Sequence, residues 1–301
     1  MECEICGSEA VISTNNGTLC AEHFKQRFED ITLSTIKKFK LIEDGEKIAV
    51  ANSGGKDSLS LLYILSKYFK DSNELVSITI DEGISGYRDK TIEIMKEYCK
   101  RYGVDYKIYS YKEFAGKTMD AITKIKEGIP CSTCGVLRRH LINYAASEEL
   151  ADKVATAHNM DDEAENVIMN LVQNDIEKMV RLGAYSGIVK GKGFVPRIKP
   201  FLFLSEKETM LFSMLNGINA IHTPCPYAGM GFRGLISRKI KQIETEFSGS
   251  KRNVINALLE IKNGYEIKKD IKINKCRYCG FPSANDICEA CKLKEELEGA
   301  L

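Results

Sequence analysis

Ten of the eleven cysteines in this 301-residue chain stand in three groups with the spacings of metal or redox ligands, and two of those groups lie at the two ends. Cys3 and Cys6 are followed by Cys20 and His23; Cys276 and Cys279 are followed by Cys288 and Cys291. Each set offers four soft donors in paired steps, the pattern that holds a tetrahedral structural zinc. A segment of about 30 residues buries too little apolar surface to fold alone, so a bound metal does the work of a core. The chain is therefore expected to hold two small zinc modules around one larger core, with limits at 1–27, 28–263 and 264–301. The third set, Cys131, Cys134 and the distant Cys225, has only three members, and Cys99 stands apart.

The chain opens Met-Glu-Cys-Glu and reaches a metal motif at once, without the basic and apolar leader of a secreted protein. A cytoplasmic location is expected, where paired cysteines serve as thiolate ligands or redox centres and not as disulfides. No run approaches the roughly 18 apolar residues that span a bilayer, so no membrane association is expected. The formal net charge of +1 does not by itself advertise a polyanionic partner. Its distribution is less even: Lys178, Arg181, Lys190, Lys192, Arg197 and Lys199 fall in a stretch with no acidic residue. Arg233, Arg238, Lys239, Lys241, Lys251 and Arg252 form a second run, diluted by Glu244 and Glu246. Such runs either line a phosphate backbone or are solvated surface.

The central region alternates. Lys47 to Asn52 is a short apolar run, Ser53-Gly54-Gly55-Lys56-Asp57-Ser58 follows, and an apolar-rich helical pattern runs from Leu59 to Phe69. Strands are expected again at Leu75 to Ile80, Tyr106 to Tyr109 and Lys153 to Ala157. Helices are expected at Phe24 to Leu41, Lys90 to Tyr102, Val136 to Ala146 and Glu163 to Val172. Further helical patterns cover Ser205 to Asn216 and Gly234 to Lys262, and Lys268 to Lys275 is a charged connector. Alternation of this kind implies an α/β fold, a doubly wound parallel sheet whose ligands bind beyond the carboxyl ends of the strands.

The glycine turn places small residues where backbone N–H groups approach phosphates, and the helix that follows adds its positive end. It lacks the residue count of a Walker A loop. Asp161 and Asp162 open a helix where the strand from Lys153 ends, placed either to hold Mg2+ against phosphates or simply to cap that helix. Three thiolates at Cys131, Cys134 and Cys225 leave three chemistries open: an iron–sulfur cluster with one iron free of protein ligands, a disulfide or persulfide pair with a resolving thiol, or buried small hydrophobes. His158 reads as a turn residue, and His140 and His222 as structural. Tyr278 and Phe281 in the last module either stack on a base or pack against the module's own core.

The turn Ser53-Gly54-Gly55-Lys56-Asp57-Ser58 resembles the loop of enzymes that release pyrophosphate from ATP. It is followed, in order, by Asp81-Glu82-Gly83-Ile84-Ser85-Gly86-Tyr87-Arg88, Pro130-Cys131-Ser132-Thr133-Cys134-Gly135, His158-Asn159-Met160-Asp161-Asp162-Glu163-Ala164-Glu165 and Pro224-Cys225-Pro226-Tyr227. That order resembles the TtcA/TtuA family of tRNA thiolation enzymes, and the flanking cysteine modules match its TtuA-like and wobble-uridine thiolase branch. The resemblance covers essentially the whole chain. It implies a PP-loop fold, adenine-nucleotide alpha-hydrolase-like, between two zinc modules, and it favours a 4Fe-4S cluster on Cys131, Cys134 and Cys225.

It further implies ATP with Mg2+ at Ala51, Asn52, Ser53, Gly54, Gly55, Lys56, Asp57, Ser58, Ile80, Gly135, Ala157 and His158. Asp161, Asp162, Arg138 and Cys225 are the implied catalytic residues. Arg138 stands where part of the TtuA group carries a catalytic lysine; a guanidinium stays protonated and stabilises charge but abstracts no proton. The implied reaction adenylates the C2 carbonyl of a tRNA uridine and replaces its oxygen with sulfur, with the wobble uridine favoured over a T-loop uridine and an anticodon-loop cytidine third. The expected partners are tRNA, a ubiquitin-like sulfur carrier or free sulfide, and a second copy in a homodimer. Persulfide delivery without a cluster, a lysidine-type change of nucleophile, a zinc-stabilised RNA-binding scaffold and an iron–sulfur carrier are the alternatives.

Overall fold

In the computed structural model, which describes residues 1–14, 17–186, 194–221, 223–229, 231–265 and 273–299, the first cysteine turn leads into a hairpin. Its strands are β1 (Ile12–Thr14) and β2 (Gly17–Leu19), and α1 (Ala21–Lys38) follows. The alternating region then runs β3 (Lys47–Ala51), α2 (Lys56–Tyr68), β4 (Glu74–Asp81), α3 (Arg88–Tyr102), β5 (Asp105–Ser110), α4 (Tyr111–Ala115), α5 (Met119–Ile125), α6 (Pro130–Glu148), β6 (Lys153–Thr156) and α7 (Met160–Val172). Beyond it come α8 (Ile176–Met179), β7 (Tyr185–Ser186), β8 (Arg197–Ile198), α9 (Glu206–Leu215), α10 (Phe232–Glu246) and α11 (Ser250–Gly264). A second hairpin, β9 (Asn274–Lys275) with β10 (Pro282–Ser283), precedes α12 (Glu289–Glu298).

The sheet order is β5-β4-β3-β6-β8-β7, parallel except for β7 at one edge. From β3 the chain builds outward through β4 and β5, then crosses back to lay β6 on the other side of β3. That reversal opens a crevice at the carboxyl ends of β3 and β6, where an open α/β sheet receives its ligand. The strands read as continuous apolar runs because both faces are covered. Ile48 and Val50 point into one core and Ala49 into the other, all three at 0% exposure. On the first face α1 joins the amino-terminal module to the sheet domain, and its Phe28 ring stacks on Phe212 of α9 with centroids 4.0 Å apart. On the second face Leu137 and Leu141 of α6 meet Leu293 and Leu297 of α12, so the last module is seated on the sheet domain by its helix.

One helical pattern becomes two helices. The expected helix over Gly234 to Lys262 breaks between α10 and α11, where Gly249 takes φ 92°. The Glu244 carboxylate accepts from the N–H groups of Gly249 and Lys251, both at 2.8 Å, and so receives the donors of the new helix start. The apolar period runs on across the break, which hid it in the sequence. The two-residue strands β7 and β8 are too short to carry a pattern. His222, Lys190, Lys192 and most of the expected connector lie outside the described residues. Among the described residues no helix is long and apolar enough to cross a membrane.

Candidate nucleotide and sulfur site

The turn after β3 is braced by its own side chains. Asn52 Oδ1 accepts from the Gly54 N–H at 3.0 Å, the Ser53 N–H donates to Ser58 Oγ at 3.1 Å, and the Ser58 hydroxyl donates to the Gly55 carbonyl at 3.0 Å. Gly54 has φ +75°, and a Cβ there would lie 2.1 Å from the Thr91 carbonyl oxygen, so the turn can press against α3 only without a side chain. Gly55 caps α2 with no side-chain acceptor, which leaves the first N–H groups of that helix for an anion.

A cleft of about 370 Å³ opens beside this turn. Of the residues singled out in the sequence, Ala51, Asn52, Ser53, Asp57, Ser58, Ile80, Ala157, His158, Asp162, Arg138 and Cys225 line it. Asn52 Nδ2 and Asp57 Oδ1 are buried there with no partner in the protein. Burial pushes the Asp162 carboxyl up to about 6, and although an N–H bond from Asn159 opposes the shift, the Asp57 charge adds to it. Two facing carboxylates, one with an orphaned oxygen, form a hard-oxygen pair suited to Mg2+. His158 bonds through Nδ1 to Thr156 Oγ1 at 3.0 Å, and crowding by protein together with the Lys199 charge lowers its pKa and keeps it neutral.

Of the expected nucleotide residues Gly54, Gly55, Lys56 and Gly135 are not in the lining, and neither is Asp161, expected as catalytic. Asp161 turns away from the cleft: Lys251 Nζ donates to its Oδ1, and its Oδ2 accepts from the Glu206 N–H at 2.9 Å. It anchors α7 to α9 and α11, so of the Asp pair only Asp162 faces the ligand. Lys56 pairs with Asp57 Oδ2 at 2.8 Å outside the lining, and Gly135 lies under the Arg139 side chain on α6.

The sulfur side begins at the start of α6. Cys134 is buried, Cys131 exposed and Cys225 half-buried. The Cys131 thiol donates to the Tyr227 carbonyl at 3.2 Å, which brings the Cys225 loop onto α6. Cys134 Sγ lies 3.2 Å from the Tyr111 hydroxyl and accepts from Arg138 Nη2 at 3.1 Å. Crowding by surrounding protein opposes the Arg138 charge, but the Glu82 carboxylate facing it wins and holds the guanidinium protonated. These thiols do not gather as tightly as the terminal sets.

In each terminal set every ligand atom lies within 4.8 Å of the others. His23 Nδ1 sits 3.4 Å from Cys3 Sγ and 3.3 Å from Cys20 Sγ. Against the effect of burial, backbone N–H groups lower the Cys3 and Cys276 thiols to about 6, which favours the thiolate a metal needs. Both groups are able to hold a metal ion.

Residues 21–219 match the family described as a PP-loop domain. Cytoplasmic tRNA 2-thiolation protein 1 of Chlamydomonas reinhardtii is 37% identical, over 93% of this chain and 79% of its own. The solved structure of the U34-tRNA thiolase NcsA from Methanococcus maripaludis with its [4Fe-4S] cluster superimposes with a TM-score of 0.85 at 31% identity, over 99% of this chain and 96% of that one. The chain belongs to the PP-loop family of tRNA 2-thiolation proteins. A further relative, the tRNA-5-methyluridine(54) 2-sulfurtransferase of Thermus thermophilus, is 30% identical over 97% of this chain and 91% of its own.

For a PP-loop thiolation protein, sequence reasoning missed Glu82, Tyr87, Arg88, Ile142 and Thr156, all of which line the cleft. Glu82 and Arg88 stood in a quoted motif, but nothing in their spacing assigned them a task. The basic runs also read differently in three dimensions. Lys199 is buried against Glu163 at 2.7 Å, Lys251 against Asp161, and Lys178, Arg181, Arg233 and Lys241 each pair with an acid. Among the described residues the arginines without a carboxylate partner include Arg139 and Arg197, from separate segments, joined where Arg197 Nη2 donates to the Arg139 carbonyl at 3.1 Å. Burial and the Arg138 and Arg233 charges lower the Arg139 pKa; burial and Arg139 bring Arg197 to about 10. His140 is held between the Phe114 and Phe281 rings, with centroids at 4.8 and 5.4 Å. Phe281 therefore packs against α6, while Tyr278 is exposed.

Proposed function

We propose that this chain is a cytoplasmic tRNA 2-thiouridine synthase that activates a uridine C2 carbonyl with ATP and exchanges its oxygen for sulfur in one cleft. The observation that carries the reading is that Cys225 and Arg138 line the same cavity as Asn52, Ser53, Asp57 and Asp162. Adenylation and sulfur transfer then need no transport between sites.

ATP lies against the Ser53 to Ser58 turn, with the open start of α2 at its phosphates and Asn52 Nδ2 donating to it. Asp57 and Asp162 hold the Mg2+ that offsets charge on the phosphates. The uridine oxygen attacks the α-phosphorus, pyrophosphate leaves, and sulfur displaces AMP from C2. Arg138 is positioned to stabilise the anionic charge of this step without moving a proton. When bound to Cys131, Cys134 and Cys225, a 4Fe-4S cluster supplies an iron with no protein ligand, where free sulfide or sulfur from a ubiquitin-like carrier is presented. Zinc in the two terminal sets fixes modules too small to fold unaided, and a homodimer completes the reading. Arg139 and Arg197, unneutralised beside the cleft, suit the phosphates flanking the target uridine. Likeness to the U34 enzyme supports the wobble position, and likeness to the Thermus enzyme keeps the T-loop position as the second reading.

The test is anaerobic purification with iron, acid-labile sulfide and zinc quantified for the wild type and a Cys131/Cys134/Cys225→Ala variant, followed by thiolation of unmodified tRNA. Iron lost with zinc retained, together with lost thiolation, is the expected result. Zinc alone in an active wild type moves the reading to persulfide chemistry, and full thiolation by the variant overturns both.

A further inference from the structure

A buried carboxylate joins the nucleotide turn to the sulfur site. Glu82, just past β4, is 4% exposed and holds one arginine on each oxygen. Its Oε2 lies 2.7 Å from Arg88 Nε as an ion pair without a hydrogen bond, and its Oε1 accepts from Arg138 Nε at 3.0 Å. Arg88 is itself 3% exposed. It donates Nη1 to the Ser53 carbonyl at 2.7 Å and Nε to the Ile80 carbonyl at 2.8 Å, so it grips the first residue of the nucleotide turn. At the other end Arg138 Nη2 donates to Cys134 Sγ at 3.1 Å. Ser53, Arg88, Glu82, Arg138 and Cys134 thus form a chain of polar contacts drawn from three separate segments, hydrogen-bonded at every link except the Arg88–Glu82 ion pair.

The charges of this chain do not cancel. One carboxylate faces two guanidiniums, leaving an excess positive charge aimed at the most buried of the three central sulfurs. Donors to a ligating sulfur set the electron affinity of the group it holds. Arg138 is also the link with two possible partners. Its side chain is 47% exposed into the cleft, where a nucleotide phosphate competes with the Cys134 sulfur for the same Nη edge. Glu82 holds the neighbouring Nε and fixes the pivot.

We propose that Glu82 is a positioning residue that couples nucleotide occupancy of the Ser53 to Ser58 turn to the electronic state of the group held by Cys134, acting through Arg88 and Arg138. This rests on the reading of ATP and a cluster in one cleft. Coupling of this kind is reciprocal: nucleotide shifts the potential of the cluster, and the redox state of the cluster changes nucleotide affinity by the same factor.

The experiment uses anaerobic holoenzyme with four irons per chain, and a non-hydrolysable ATP analogue with Mg2+ as probe. Midpoint potential and electron paramagnetic resonance are recorded with and without the analogue, and its Kd is measured for oxidised and reduced protein. The wild type is expected to show a nucleotide-dependent shift in both, and a ratio of Kd values of about fivefold, within the usual range of coupling. Glu82→Gln abolishes the shift and brings the ratio to about one. Arg138→Gln does the same from the exposed end without leaving Arg88 unpaired, which covers the case in which Glu82→Gln does not fold. A wild type that binds the analogue and holds the cluster yet shows no shift overturns the coupling alone, as does a shift that survives in folded Glu82→Gln or Arg138→Gln. A wild type that holds no iron or binds no analogue overturns the underlying reading of the cleft, and the coupling falls with it.

Discussion

The Cys131 thiol donates to the carbonyl oxygen of Tyr227 at 3.2 Å, and this contact ties the loop carrying Cys225 to the first turn of α6. The loop is pinned a second time by the Tyr227 hydroxyl, which donates to Asp120 Oδ1 at 2.8 Å. Asp120 is fixed in turn, because its Oδ2 accepts from the Ser85 N–H at 2.9 Å. Tyr227→Phe removes this pin together with the hydroxyl's contact to Thr123 Oγ1 at 3.4 Å, at a net cost of about 1 kcal/mol. In anaerobically reconstituted protein it is expected to speed iron loss to a chelator severalfold with zinc unchanged, followed by the decay of visible absorbance. An unaltered rate would show that the loop keeps its place without the phenol.

Asp162 gives the cleft a pH dependence of definite sign. Its folded pKa is raised from 3.8 to about 6, so the folded state holds the proton more tightly than the unfolded chain does. The stability this contributes is full below about pH 4 and is lost as pH rises through about 6, a change on the order of 3 kcal/mol. Chemical unfolding of nucleotide-free protein across that window should show the loss in the wild type and its absence in Asp162→Asn. Binding of Mg2+ with nucleotide should run the other way, strengthening through the same window in the wild type only.

Gly54→Ala is expected to be the most damaging single methyl group in the nucleotide turn. The added carbon meets the Thr91 carbonyl oxygen at 2.1 Å and forces an alanine to φ +75°. The two effects together should cost about 3 kcal/mol in urea unfolding, with nucleotide binding lost before the fold is. At Gly86, whose added carbon would meet nothing within 4 Å, the same change carries only the φ penalty of about 1 kcal/mol.

Arg139→Ala and Arg197→Ala test the RNA face. Each is expected to raise the KM for tRNA severalfold and to lower the slope of log affinity against log salt by about one, with the KM for ATP unchanged. A parallel loss in ATP affinity would place these arginines in the nucleotide site instead.

Phe281→Ala tests how the last module is seated. The ring contacts His140 and Tyr144 of α6 at centroid distances of 5.4 and 5.7 Å. Truncation should cost about 2 kcal/mol of docking and raise hydrogen exchange in α12, while the metal content of Cys276, Cys279, Cys288 and Cys291 stays the same.

The alternation of strands and helices, the turn at Ser53 to Ser58 and both terminal ligand sets were legible because each is local: a period, a glycine pair or a spacing of two residues carries the information within one segment. Asp57 and Asp162 were legible for the same reason, standing at a strand end ahead of a helix. The charged residues were not. Asp161 and Asp162 are neighbours in sequence, yet a helix start turns one toward Lys251 and the other into the cleft. The basic runs are dispersed by pairing with acids from other elements, whereas Arg139 and Arg197 come together only because β8 is laid beside β6. Glu82 shows the limit most clearly. Composition and spacing make it one carboxylate among many, and its place between Arg88 and Arg138 exists only once β4, α3 and α6 are packed. Backbone periodicity is written in consecutive residues; the partner of a buried charge is chosen by the fold, because Coulomb attraction and desolvation depend on distances that chain order does not contain.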